Sequence, residues 1–163
     1  MGQDAGRTAV SKYTRQPQQI QLRSDLSPEQ RPRVYAHELS HVIDELAGQL
    51  DNRGLMRELR DVYNTQNNAN RTADGTDAAS WRKPVTPQDF GYKGADVARE
   101  YIVEAIRAYL TDPNYLKTMA PRTAAFVRGA VNSNPRLSKI IQFNGVAAAP
   151  VAGSLAQQSD QDE

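Results

Sequence analysis

His37, Glu38 and His41 are the residues whose types and spacing could do chemistry; they lie in the run Val34-Tyr35-Ala36-His37-Glu38-Leu39-Ser40-His41-Val42-Ile43. The pattern is H-E-x-x-H. A helix turns once in 3.6 residues, so positions 37 and 41 stack on one face. Two imidazoles stacked that way can grip one Zn²⁺. Glu38 points about a quarter-turn away, near the metal's open position without being a ligand. There it suits the role of general base for a water that attacks a carbonyl. The chain has 2 histidines, and both fall in this motif. Val34, Ala36, Val42, Ile43 and Leu46 recur at helical spacing, so one face of the helix is expected in the core. That context disfavours the plainer reading, two histidines that hold no metal.

Other elements must position this helix. Ser27-Pro28-Glu29-Gln30 is a helix-start signal, with Ser27 as cap and Gln30 at the capping-box position. Pro32 predicts an irregular or separate first turn. The helix should run to about Ala47 and stop at Gly48. Asp44, one turn beyond His41, is either a hydrogen-bond partner for a ligand or nearby loop, or a solvated surface group. Gln18 to Arg23 alternates polar and apolar residues, the period of a half-buried strand. Such a strand could be plainly structural, or could hold an extended substrate by main-chain pairing.

Downstream, Leu55 to Tyr63 reads as a short amphipathic helix. Residues 64–91 read as a loop, rich in Asn, Gly and Pro, that would cover the site or touch substrate. Trp81 and Phe90 are its expected anchors. Asp96 to Thr111 is a second strong helix, ended by Asp112-Pro113. Its apolar face is Val97, Tyr101, Ile102, Ala105, Ala108, Tyr109 and Leu110. Glu100 and Glu104 stand four apart on one side of it, where like charges repel by a few tenths of a kcal/mol. A metal and its histidines nearby would relieve that repulsion. Short helices punctuated by proline follow around Tyr115-Leu116, over 121–131 and over 135–143.

A catalytic zinc takes three protein ligands and keeps one position open. The metzincin pattern requires a histidine six residues after His41, but Ala47 stands there. An aspartate is open as third ligand but has no nearby motif, whereas Glu100 or Glu104 serves well as the carboxylate. The site is then His₂Glu, the gluzincin type.

His37-Glu38-Leu39-Ser40-His41-Val42-Ile43-Asp44, followed by Glu100-Tyr101-Ile102-Val103-Glu104-Ala105-Ile106-Arg107, resembles the catalytic domain of anthrax lethal factor and its relatives. Those relatives include proline-specific secreted endopeptidases of clostridia and metallopeptidase domains of bacterial toxin and phage-associated proteins. The resemblance spans roughly residues 18–130 and is specific in the two motifs. It implies that Glu100 is the zinc ligand and Glu104 a residue behind the ligands. It also implies a tyrosine about seven residues before the ligand that donates a hydrogen bond to the oxyanion. Tyr92 stands eight before Glu100, with Lys93 at seven.

The chain has 163 residues, enough for one domain with loose ends. Net charge is +1, from 20 basic and 19 acidic residues, which gives no argument for nucleic acid or for an acidic membrane surface. The absence of cysteine excludes disulfides and Cys-based zinc sites. No stretch has signal-peptide or membrane-spanning character. A cytoplasmic location and delivery by a specialised secretion route both stay open, as does the oligomeric state.

The expectation is an α+β, mostly helical, zincin-like domain over residues 11–145. A flexible N-terminus (1–10) and a disordered, low-complexity tail (146–163) would flank it. The expected function is zinc-dependent cleavage of a protein or peptide substrate, in the manner of a toxin- or effector-type endopeptidase. The alternative is a catalytically inactive, zinc-stabilised binding module of a larger delivered protein.

Overall fold

The computed structural model of the chain describes residues 5–10, 17–72 and 84–147. Two strands come first, β1 (Gly6–Val10) and β2 (Pro17–Leu22). They pair antiparallel, with Gly6 opposite Leu22 and Thr8 opposite Ile20, and an irregularity between Ala9 and Val10. The alternation expected of the second strand holds. Ile20 and Leu22 are half-buried, while Gln19 and Gln21 are exposed. The N-terminus expected to be flexible is in part structured, because Gly6–Val10 is a paired strand packed on the first helix.

That helix, α1, is Gln30–Leu46. The expected capping box is present: the Gln30 N–H donates to Ser27 Oγ (3.3 Å), and the Ser27 N–H donates to Gln30 Oε1 (3.0 Å). Pro32 interrupts nothing. It lies in the first turn, where its missing N–H would have had no helical acceptor. Gly48 and Gln49, with φ of 82° and 60°, turn the chain away, and the Gln49 N–H reaches back to the Asp44 carbonyl (2.8 Å).

The second helix, α2 (Met56–Thr72), is longer than the short element expected from its apolar pattern. Part of the stretch expected as loop, residues 64–72, is therefore helical. Trp81 lies outside the described residues. Phe90 stays exposed and rests on Tyr63 with ring centroids 6.4 Å apart. The buried anchor of this region is Val85, whose N–H donates to Asn64 Oδ1 on α2 (2.8 Å). A 3₁₀ turn, Pro87–Phe90, follows.

Helix α3 (Ala95–Thr111) is the centre of the packing, touching α1, α2 and two later helices. From Glu100 to Ala108 every residue is buried. Isoleucine, valine and alanine there have neighbours on all sides, as a helix enclosed by others requires. Asp112 ends α3 and caps α4 (Pro113–Met119), accepting the Tyr115 N–H (2.9 Å). Helices α5 (Pro121–Asn132) and α6 (Pro135–Ala147) complete the core from behind. The expected tail lies outside the described residues from 148 onward. The architecture is mostly helical, with one small sheet laid across α1. Among the described residues no helix is long and apolar enough to cross a membrane.

Candidate metal centre and cleft

Helices α1 and α3 lie against each other, and the H-E-x-x-H face of α1 meets the two-glutamate face of α3. His41 Nε2 is 3.2 Å from Glu100 Oε1, and His37 Nε2 is 3.6 Å from Glu100 Oε2. One ligand atom from each of His37, His41 and Glu100 can be chosen so that all lie within 4.8 Å of one another. Atoms about 2.0–2.1 Å from a tetrahedral zinc stand about 3.4 Å apart, and the two separations, each to a different oxygen of Glu100, are of that order. The donor set, two imidazoles and a carboxylate, suits zinc too.

Behind these three lies a chain of support. Glu104 Oε1 is 2.9 Å from His37 Nδ1. A carboxylate only accepts, so the proton sits on Nδ1 and the Nε2 lone pair faces the cleft. The other Glu104 oxygen accepts from Arg107, one helical turn along α3. Burial pushes the Glu104 carboxyl up, but its bonds to His37 and Arg107 outweigh that and bring it down to about 2. Burial alone would depress His37. The hydrogen bond and charge of Glu104, with Glu100 and Glu38 nearby, raise it above the ordinary histidine value. Glu104 is thus paired with Arg107 and His37, while Glu100 faces the two imidazoles.

Glu38 is buried, and its Oε2 accepts from the Thr8 hydroxyl on β1 (2.7 Å). Gly6 lies over the same carboxylate. A Cβ at that position would stand 2.7 Å from Glu38 Cγ and 2.8 Å from Val34 Cγ1, so only glycine allows β1 this close. The strand that lines the cleft beside Glu38 is therefore β1, while β2, the strand singled out in the sequence, pairs with β1 and also packs on α1.

Asp44 is buried and bonds the nearby loop, not solvent: it takes the Leu50 N–H (2.9 Å) and pairs with Arg99 (3.0 Å), whose guanidinium also reaches Glu45 (2.6 Å). These bonds fix α1 to α3 and to the loop after α1.

The site opens into a cleft of about 670 Å³. Its walls include Ala5 and β1 from Gly6 to Thr8, with Arg33, Tyr63 and Tyr92. Tyr92 lies in the tight link between the 3₁₀ turn and α3. Gly91 and Gly94 carry φ of 93° and 56° there, and the Tyr92 N–H bonds to the Pro87 carbonyl (3.2 Å). Lys93 is exposed and does not line the cleft.

Sequence reasoning missed Thr8, Tyr63 and Arg107. Only Arg107 carried a signal, a base three residues after an acid on an apolar helix. Comparison with protein-family models, with curated proteins and with solved structures finds no match.

Proposed function

We propose that this protein is a metal-dependent endopeptidase, with zinc held by His37, His41 and Glu100. Glu38 carries the reading. It is an intact carboxylate one residue from a ligand, in an open cleft beside three converging donor atoms. A centre that only joined two helices would have no use for it. Bound zinc would supply a Lewis acid that acidifies water and polarises a carbonyl.

The chain's own residues supply the rest. Glu104 keeps the His37 lone pair turned to the cleft, and Arg107 neutralises Glu104. Thr8 fixes the Glu38 carboxylate. Glu38 takes a proton from the attacking water and returns it to the leaving amine. Tyr92, on the cleft wall, donates to the oxyanion. β1, beside Glu38, offers main-chain groups to an extended peptide. The resemblance to the lethal factor catalytic domain, resting on the two motifs, adds an effector-type protein substrate to this reading.

Glu38→Gln is the test. It should bind zinc as the parent does and cleave a peptide library at least about a hundredfold more slowly. Equal cleavage by parent and variant would overturn the assignment.

A further inference from the structure

Tyr63 is a buried residue of α2 whose ring is fixed on two sides. Tyr101 meets it at 5.1 Å between centroids, and Phe90 at 6.4 Å, both edge to face. Such a ring has one place to put its hydroxyl. Buried tyrosine hydroxyls normally find a hydrogen-bond partner within the protein. Among the described residues the Tyr63 hydroxyl has none. The side-chain polar atoms that are sealed in without a partner are Asn68 Oδ1 and Tyr115 OH, so the Tyr63 oxygen is not one of them. Tyr63 lines the same cleft as His37, His41, Glu100 and Tyr92. The ring is therefore held rigidly on the wall of the site, and its hydroxyl has no partner among the described residues.

We infer that Tyr63 is a substrate-binding residue whose phenol donates a hydrogen bond to a carbonyl oxygen of the bound peptide. Glu100 and Glu104 are near enough for their charges to add to the effect of burial, which keeps this phenol protonated well above the usual tyrosine range. It is a donor at every pH at which the fold would work. Two phenols then face the bound chain, Tyr92 from the loop before α3 and Tyr63 from α2. The inference rests on the proposed metal centre.

Zinc titration by calorimetry comes first, on the parent, Tyr63→Phe and Tyr115→Phe. Acetohydroxamate, which presents a carbonyl oxygen to a metal site, is then titrated into each zinc-loaded protein. Tyr63→Phe should bind zinc as the parent does and bind acetohydroxamate about tenfold more weakly, the loss of one hydrogen bond in a partly dry site. Tyr115→Phe, which removes an unpartnered hydroxyl elsewhere, should match the parent in both. Equal hydroxamate affinity in the parent and Tyr63→Phe overturns the inference and leaves the metal centre standing. So does zinc uptake without hydroxamate binding by the parent. Failure of the parent to take up zinc overturns the metal centre, and this inference with it.

Discussion

Thr8 donates its hydroxyl to the carboxylate of Glu38 across 2.7 Å, joining residues 30 apart in the chain. The bond ties one oxygen of Glu38 to β1, and the other lies beside Gly6 of the same strand. Thr8→Val should therefore cleave peptide about tenfold more slowly, with zinc affinity unchanged, and Thr8→Ser should recover most of the rate. The drop belongs in kcat, because the carboxylate is misaimed and the binding wall is kept. A Thr8→Val protein with parental kcat would remove Thr8 from the account.

Glu104 and Glu100 stand one turn apart on α3 and are expected to fail differently. Glu100→Gln removes a ligand and should abolish stoichiometric zinc uptake. Glu104→Gln leaves three ligands but loosens the tautomer and aim of His37, and should weaken zinc about 10- to 100-fold. Competition with a chelator of known affinity measures both. Equal effects of the two substitutions would place both carboxylates at the metal or neither.

The His37–Glu104 pair also sets how the metal-free protein responds to pH. Glu104 falls from 4.5 to about 2 on folding, so its contribution is present above about pH 4.5 and is lost as pH falls towards 2. At about 1.4 kcal/mol per unit, that contribution is on the order of 3–4 kcal/mol. His37 moves the other way. Its folded value is raised, so its contribution is full below 6.5 and is lost as pH climbs through the folded value. Urea midpoints taken with chelator from pH 3 to 8 should peak between these windows. Glu104→Gln should flatten both flanks, and parallel curves for the two proteins would rule the pair out as the source.

Much of this site could be read before the fold was known, because its parts are local. Spacing along one helix stacks His37 on His41, and spacing along another sets Glu104 one turn from Glu100. The two helices were legible from their apolar faces, and so was the proline-punctuated end. Two elements were not. β1 is Gly-Arg-Thr-Ala-Val, with little alternation, and it is a strand because β2 and α1 accept it. The second half of α2 is rich in asparagine, a poor helix former that favours turns. Two of its asparagines are occupied instead: Asn64 takes the Val85 N–H from outside the helix, and Asn67 donates to the Tyr63 carbonyl one turn back. Tyr63 escaped notice for a similar reason. An aromatic on an apolar face reads as core, and only packing shows that this one also lines the cleft.

Helix α3 holds two carboxylates in the most enclosed part of the molecule, and this bears on the life of the chain in a cell. Glu104 is matched by Arg107, but Glu100 faces only the two imidazoles, and charge out of water destabilises unless it is fully matched. An ion bound only by the folded chain adds about 2.7 kcal/mol at a hundredfold excess over its dissociation constant. Supply of the ion would then govern how many copies survive proteolysis as well as how many are competent. Starved of metal, the cell would clear the chain before it could act without its ion.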